Sequence, residues 1–228
     1  MLLLFDIDGT LLAGATEAHR EAMHLALRQV HGIEASERLR PSVNAAGRTD
    51  PEIARLILLL AGTPAKEIDE RADDVRQTCC REYARLCPPD LSHTVIPGVS
   101  ELLSSLDDEG FRLALLTGNF EAIARLKLAR AGIGKHFEAG QGAFGSDSED
   151  RTELPGIARR RAGEGGAPYP RKRTVVIGDT PLDIACARAD RVRCVAVATG
   201  PYGVDGLRDA DAVAADAREL MGVLSRLA

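Results

Sequence analysis

The chain of 228 residues is 45% hydrophobic and 28% charged, and its net charge is -5 at pH 7. This composition is ordinary for a globular protein with one core and a small accessory unit, and it argues against wholesale disorder. The acidic balance offers no field for nucleic acid, and no segment reaches the roughly 18 consecutive apolar residues of a membrane span. The five cysteines show no CxxC spacing, so we expect a reducing cytoplasm rather than a disulfide framework or a zinc site.

Four short, almost continuous apolar runs predict strands that are buried on both faces of a parallel sheet. They span residues 2–7, 111–116, 173–177 and 192–197. Helical patterns separate the later runs, at residues 97–109, 121–131 and 181–189. Because strands alternate with helices, the sequence predicts an α/β fold with a doubly wound, Rossmann-like parallel sheet.

A long helical stretch interrupts this alternation after the first strand. Residues 15–91 contain no convincing strand, and their periodicity predicts helices at 16–31, 50–60 and 64–86. Turn-forming residues flank the stretch, at 13–14 and at 87–89. We therefore predict that residues 15–91 form a small helical cap, inserted into a core made of residues 1–14 and 92–228.

Polar residues follow three of the predicted strands, at the edge where ligands of open α/β sheets bind. They are Asp6, Asp8, Thr117, Gly118, Asn119, Gly178, Asp179, Thr180 and Asp183. Carboxylates that meet at one point repel each other unless a cation neutralises them, and Mg²⁺ takes oxygen ligands from protein, water and phosphate. Beside such an ion one carboxylate can attack phosphorus while a second transfers protons. The local alternatives are a capped turn for Asp6 and Asp8, and a helix N-cap with its first turn for Asp179 and Asp183.

With these residues the chain resembles the haloacid dehalogenase superfamily of phosphohydrolases, and the resemblance covers nearly the whole chain. The first motif of the family, Asp-x-Asp-Gly-Thr, matches Asp6-Ile7-Asp8-Gly9-Thr10. The second matches Thr117 at the end of a hydrophobic strand, and the fourth matches Gly178-Asp179-Thr180-Pro181-Leu182-Asp183. The resemblance implies a Mg²⁺-dependent phosphatase that works through an aspartyl-phosphate.

The resemblance also implies a role for each matching residue. Asp6 would be the nucleophile and a metal ligand, and Asp8 the general acid/base, whose backbone carbonyl also meets the metal. Asp179 would complete the metal site. Thr117 would hold the transferring phosphoryl group together with the backbone of Gly118 and Asn119. The supporting residues would be Gly9, Thr10, Gly178 and Asp183.

The third motif departs from the family pattern. The family usually places a lysine, often followed by proline, between the second and fourth motifs, and no Lys-Pro occurs here. Lys135 lies too early, and Lys172 directly abuts the strand before Asp179. Arg151 has about the expected position, opening a helix-like segment at 152–162, and a guanidinium can pair with both the nucleophile and a phosphate oxygen. We therefore predict that Arg151 replaces the lysine as a phosphate-binding residue.

A loop in the predicted cap, Asn44-Ala45-Ala46-Gly47-Arg48-Thr49-Asp50, is similar to a loop of the phosphoglycolate phosphatase-like, helical-cap subgroup. In that subgroup Gly-Arg-Thr-Asp faces the core, which implies that Arg48 contacts an anionic substrate. The alternative is a surface or cap-to-core salt bridge. A cap of this size leaves a small pocket, so we expect a small phosphorylated metabolite as the substrate.

Other functions within the superfamily remain open at this point. A phosphosugar mutase needs cap residues that orient a sugar with two phosphates, and a phosphonate hydrolase needs a Schiff-base lysine, for which the cap offers only Lys66. A catalytically silent regulatory member is the third alternative, since a fold alone never establishes activity. The intact motif residues argue against a silent protein, and the absence of Lys-Pro is its only support. The sequence leaves the oligomeric state open.

Overall fold

A computed structural model describes residues 1–33 and 44–227; residues 34–43, which belong to the predicted cap, lie outside the described residues. Six strands occur in the described part: β1 (Leu2–Phe5), β2 (Arg112–Thr117), β3 (Ala143–Phe144), β4 (Thr174–Gly178), β5 (Arg193–Val197) and β6 (Ala212–Ala214). They form one parallel sheet in the order β3-β2-β1-β4-β5-β6. The chain order reverses direction beside β1, so polar residues that follow β1, β2 and β4 lie next to each other. The predicted doubly wound α/β fold is confirmed.

Four helices lie in the described part of the stretch predicted to be the cap. They are α1 (Glu17–His31), α2 (Asp50–Leu60), α3 (Ala65–Glu70) and α4 (Ala72–Leu86). The predicted helix at 64–86 is therefore wrong as a single element, because the backbone of Arg71 (φ -112°, ψ 7°) leaves the helical region between α3 and α4. Helix α1 packs along α4, and the ring of His19 meets that of Tyr83 edge-on, with the centroids 5.6 Å apart. The boundaries of the cap stay a prediction.

Helices cover both faces of the sheet. They are α5 (Val99–Asp108), α6 (Glu121–Arg130), α7 (Leu154–Arg161), α8 (Pro181–Ala189) and α9 (Ala217–Leu227). Successive residues of a strand point to opposite faces, so Leu3 and Phe5 of β1 pack with α5, α6 and α9, whereas Leu2 and Leu4 pack with α7 and α8. None of the helices in the described ranges is both long and apolar enough to cross a membrane.

The sequence analysis did not predict β3, β6 or α9. The two strands have only 2 and 3 residues, which are too few to show a hydrophobic period in the sequence. They form by hydrogen bonding to the longer strands β2 and β5. Helix α9 packs Leu220 and Leu224 into the core, a pattern that was present in the sequence. The segment predicted as a helix at 152–162 begins as a 3-10 turn, Arg151–Glu153, and continues as α7.

Candidate active site

Asp6 lies directly after β1, in the middle of the carboxyl edge of the sheet. Its backbone N–H donates to Ile177 O at 2.9 Å, which extends the pairing of β1 with β4 by one residue, and its side chain is buried. The chain then turns at Gly9, where φ is 94° and an added Cβ would lie 2.2 Å from Asp179 Oδ2. Only glycine meets both conditions. Thr10 Oγ1 donates to Asp179 Oδ1 at 3.1 Å, so the first and fourth motifs pack as one unit.

Three carboxylates meet at this edge. Asp6, Asp179 and Asp183 are buried, and each offers an oxygen within 4.8 Å of the others. Burial and, after it, the neighbouring carboxylates raise the pKa of Asp179 to about 8. Burial also raises the pKa of Asp6, to about 7, against the opposing charge of Arg151. Asp179 Oδ2 is buried without a hydrogen-bond partner, and a divalent cation that takes oxygen ligands would satisfy it. The residues of this cluster therefore fit Mg²⁺.

Asp183 has a structural role as well. The Thr180 N–H donates to Asp183 Oδ2 at 3.0 Å and the Asp183 N–H donates to Thr180 Oγ1 at 3.3 Å, which forms the capping box of α8. The other carboxylate oxygen, Oδ1, accepts a hydrogen bond from Arg151. Asp183 therefore caps a helix and also binds Arg151 beside Asp6.

Arg151 reaches the cluster from the 3-10 turn that precedes α7. Its side chain is buried, and its Nη2 donates to Asp6 Oδ1 at 3.1 Å as well as to Asp183 Oδ1. The two lysines considered for the third motif, Lys135 and Lys172, are exposed. The structure thus brings Arg151 into contact with Asp6, the predicted nucleophile, where a family lysine was expected; the part of Arg151 in catalysis stays a prediction.

Sequence reasoning missed Lys127, a residue of α6 that lies behind Asp8. Lys127 is fully buried, and its Nζ donates to Asp8 Oδ1 at 2.8 Å and to Oδ2 at 2.7 Å. Asn119 Nδ2 donates to the same carboxylate at 3.0 Å. Burial favours the neutral acid, but the ammonium of Lys127 outweighs it and holds the pKa of Asp8 below its usual range. The side chain of Asp8 is therefore a carboxylate with three hydrogen bonds to two neighbours.

The pattern of α6 contained a signal for this lysine. Ile123, Ala124 and Leu128 are the other buried residues of the helix, and Lys127 falls on the same stripe, at i+4 from the first and i+3 from the second. A lysine on the buried stripe of a helix needs an acidic or polar partner. The sequence could have indicated that a partner exists, but not that it is Asp8.

The predicted phosphate-binding loop follows β2 and packs tightly against the segment before α2. Thr117 is fully buried, and its Oγ1 accepts the backbone N–H of Asn119 at 3.3 Å. A Cβ on Gly118 would lie 2.1 Å from Arg48 O, so a side chain here would push the two segments apart. The Asp50 N–H donates to Gly118 O at 2.8 Å. The close approach of two backbones explains why this position is glycine.

Asp50 joins the first turn of α2 to the sheet. Its Oδ2 accepts the Phe120 N–H at 2.7 Å and contacts His19 Nε2 at 3.1 Å. Beside it, Thr49 Oγ1 donates to Glu149 O at 2.7 Å. These bonds link α1, α2 and the loop after β2, so the helical stretch is tied to the sheet next to the phosphate-binding loop.

Asp6, Asp8 and Asp179 line a cavity of about 490 Å³, which is within the range of small-molecule sites. The lining also includes residues of α1, of α2 and of the segment directly before α2, among them His19, Arg20, Met23, Arg48, Ile53 and Ile57. Arg48 lines the cavity, but its Nη1 pairs with Glu52 of α2 and its Nε donates to Asn44 O at 2.9 Å. Arg48 thus forms a half-buried salt bridge, but with a residue of the predicted cap and not of the core, and the substrate contact stays a prediction.

Comparison with known proteins identifies the family. The model of the haloacid dehalogenase-like hydrolases matches residues 3–188. The chain belongs to this family. This HAD-like hydrolase is 26% identical over 211 residues to the phosphoglycolate phosphatase of Mesorhizobium japonicum, covering 87% of this chain and 83% of that one. It is 29% identical over 208 residues to the tyrosine-protein kinase PtkA of Mycobacterium bovis, covering 89% and 63%.

Solved structures share the fold. The β-phosphoglucomutase of Clostridium difficile superposes with a TM-score of 0.70 at 16% identity, over 99% of this chain and 96% of that one. At this low sequence identity, the structural similarity shows only that the two proteins share a fold. The family and the hydrolase class predicted from the sequence are confirmed, and relatives named phosphatases agree with the predicted phosphoric monoester hydrolase.

Proposed function

We propose that this HAD-like hydrolase is a Mg²⁺-dependent phosphatase that hydrolyses a small organic phosphomonoester through an aspartyl-phosphate on Asp6. The observation that carries the proposal is the buried Asp6 carboxylate, which Arg151 contacts beside the unpartnered Asp179 Oδ2. A nucleophile, a fixed cation and an unsatisfied anionic oxygen thus line one cavity. Phosphoryl transfer depends mainly on this kind of positioning and charge stabilisation.

The proposed reaction has two half-reactions. In the first, a carboxylate oxygen of Asp6 attacks phosphorus while the bond to the ester oxygen breaks, and that oxygen takes a proton from the protonated form of Asp8 and leaves as an alcohol. The proton that Asp8 accepts in the second half-reaction regenerates this protonated form. In the second, the Asp8 carboxylate takes a proton from water while the water oxygen attacks phosphorus. The bond from phosphorus to Asp6 then breaks, and phosphate leaves. The contact between Lys127 and Asp8 favours the carboxylate form, which is the form that the second half-reaction uses.

Asp6 and Asp179, with the backbone carbonyl of Asp8, would hold Mg²⁺. Asp183 accepts a hydrogen bond from Arg151 and caps the start of α8, so we assign it a supporting role, in which it holds Arg151 in place. When bound, the ion would supply positive charge to the phosphoryl oxygens. Arg151 and the loop at Thr117 would bind the same phosphoryl oxygens. This role explains why the guanidinium of Arg151 lies beside the carboxylates.

The proposed substrate is a phosphorylated metabolite of the phosphoglycolate type, and neither nucleic acid nor a membrane is a proposed partner. Relatives named phosphoglycolate phosphatase, from Mesorhizobium japonicum and Pseudomonas fluorescens, support this class. The cavity of about 490 Å³ also has room for larger esters. The five free cysteines support the proposed location in the cytoplasm.

The test is phosphate release with Mg²⁺ across a panel of phosphorylated metabolites of increasing size. Asp6→Asn should abolish turnover because the amide is not a nucleophile toward phosphorus. Asp190→Asn is the matched control, since Asp190 is a largely buried carboxylate in an ion pair with Arg159, at the far end of α8. Failure to release phosphate from any member, or turnover that survives Asp6→Asn, would contradict the proposal.

The same protein samples separate the alternative functions. A mutase would return an isomeric sugar phosphate instead of free phosphate, which NMR of the products detects. Lys66, the only cap lysine, is exposed and contacts Glu70 at 3.7 Å, so a phosphonate hydrolase gains no support. Beryllofluoride with Mg²⁺ mimics a phosphorylated aspartate, and a silent protein would show no thermal stabilisation by that pair.

A further inference from the structure

Lys127 is a buried cation that belongs to none of the sequence motifs, and no bond made or broken in the proposed reaction involves it. It does not line the cavity, and it contacts the face of Asp8 that is turned toward α6. Both Asp8 oxygens accept from the one ammonium, at 2.8 and 2.7 Å. A buried ammonium costs several kcal/mol of desolvation unless it is paired, so this contact is the natural reason for a lysine at that position.

Two elements of the same βα unit restrain the Asp8 carboxylate. Lys127 comes from α6, and Asn119 comes from the loop that joins β2 to α6 and donates to Asp8 Oδ2 at 3.0 Å. Thr117, the predicted phosphate-binding residue, ends the strand of this unit. The Asp8 carboxylate is thus held relative to the predicted phosphoryl site by two groups of the same βα unit. Catalytic groups need such support, because a misplacement of about 1 Å can cost about 10²-fold in rate.

We propose that Lys127 is a positioning residue for the second half-reaction. It holds the Asp8 carboxylate in the orientation in which that carboxylate accepts the proton of the attacking water. This inference rests on the proposed function. In this half-reaction the water proton moves to Asp8, the water oxygen bonds to phosphorus, and the bond from phosphorus to Asp6 breaks. Lys127 touches neither substrate nor phosphoryl group and keeps all its protons.

The test compares the two half-reactions in Lys127→Met, with p-nitrophenyl phosphate as the substrate. Its leaving group departs without a proton, so formation of the aspartyl-phosphate does not depend on Asp8. We expect the rate constant for forming the phosphoenzyme to stay within about 3-fold of wild type, while the rate constant for its hydrolysis falls about 10²-fold. The phosphoenzyme should then accumulate and give a burst of about one p-nitrophenolate per active site. Lys127→Arg, which keeps a cation, should recover part of the hydrolysis rate.

Arg125→Met is the matched control on the same helix. Arg125 ties α6 to the following loop by donating to Phe137 O and Gln141 O, both at 2.9 Å, and none of its hydrogen bonds within the described part of the chain goes to Asp8. This variant should slow neither half-reaction selectively. Thermal stabilisation by beryllofluoride and Mg²⁺ should persist in Lys127→Met, because Asp6 is untouched. If Lys127→Met does not fold, Lys127→Gln provides a neutral donor for the same measurement.

Equal slowing of both half-reactions in the Lys127 variants, or unchanged hydrolysis of the phosphoenzyme, would overturn the positioning role while leaving the phosphatase proposal intact. A wild-type protein that forms no phosphoenzyme, releases no phosphate and is not stabilised by beryllofluoride would overturn both. The wild-type measurement therefore separates the two failures.

Discussion

Replacing Arg151 by methionine tests whether the arginine stands in for the family lysine. One nitrogen of its guanidinium, Nη2, contacts both Asp6 Oδ1 and Asp183 Oδ1, and all three side chains are buried. Methionine fills much of the same volume but leaves two buried carboxylates without their cation. Removing one partner of a buried ion pair typically costs about 3–5 kcal/mol. For a chain of this size, about 2–4 °C of melting temperature is lost per kcal/mol, so Tm should fall by about 6–20 °C.

The same substitution should lower activity. Removing one charge-stabilising donor from a transition state typically costs about 10²–10³-fold in kcat. Arg151→Lys keeps the charge but loses the fork of the guanidinium, so it should recover much of the Tm and less of the kcat. Differential scanning calorimetry and steady-state kinetics on a substrate found in the panel measure both quantities.

Arg161→Met is the control for this experiment. Arg161, on α7, pairs with Asp147 at 2.6 Å, but its side chain is 33% exposed. A surface pair of this kind contributes at most about 1 kcal/mol, so Tm should fall by no more than about 4 °C with kcat unchanged. If Arg151→Met lowers Tm no more than Arg161→Met and keeps kcat within about ten-fold of wild type, the assignment of Arg151 is refuted.

Three further predictions concern the carboxylates and the packing of the loops. Because the pKa of Asp6 is raised to about 7 and that of Asp179 to about 8, both bind protons more tightly in the folded chain than in the unfolded chain, so their contribution to stability should fall between about pH 4 and pH 8. Thermal unfolding in EDTA should show this loss of stability as the pH rises, and Asp179→Asn should make the loss smaller. A stability contribution of these two carboxyl groups that grows with pH would contradict their raised pKa values. Added Mg²⁺ should raise Tm more at pH 8 than at pH 5, and an equal rise at both would count against binding by these carboxylates. Gly118→Ala places a Cβ 2.1 Å from Arg48 O, so it should cost at least about 2 kcal/mol in urea unfolding; a loss below about 0.5 kcal/mol would show that the loops separate freely.

The sequence by itself determined the parallel fold class, four of the six strands in the described part of the chain, and the family. Continuous apolar runs indicate buried strands because both faces of a parallel sheet are covered, and β1, β2, β4 and β5 all formed within two residues of their predicted positions. The motif around Asp6 and the segment from Gly178 to Asp183 are local patterns, and they could be recognised without knowledge of any contact. Gly9 is part of the same local motif. The need for glycine at this position is not local, because an added Cβ would collide with the side chain of Asp179.

The tertiary structure decided which charged groups meet: it revealed the partner of Lys127, and it established the contact of Arg151 with Asp6 that the position of Arg151 in the sequence had suggested. Arg151 pairs with Asp6 across 145 positions of sequence, and Lys127 pairs with Asp8 across 119. A single sequence shows that Lys127, a lysine on the buried face of a helix, needs a polar or acidic partner. Which residue becomes that partner depends on the placement of β1 between β2 and β4. The strand order brings the carboxyl ends of all three together, so Asp6, the proposed nucleophile, meets Arg151, and Asp8 meets Lys127. Charge pairing at that edge is a property of the fold, because neither ion pair has a local sequence pattern.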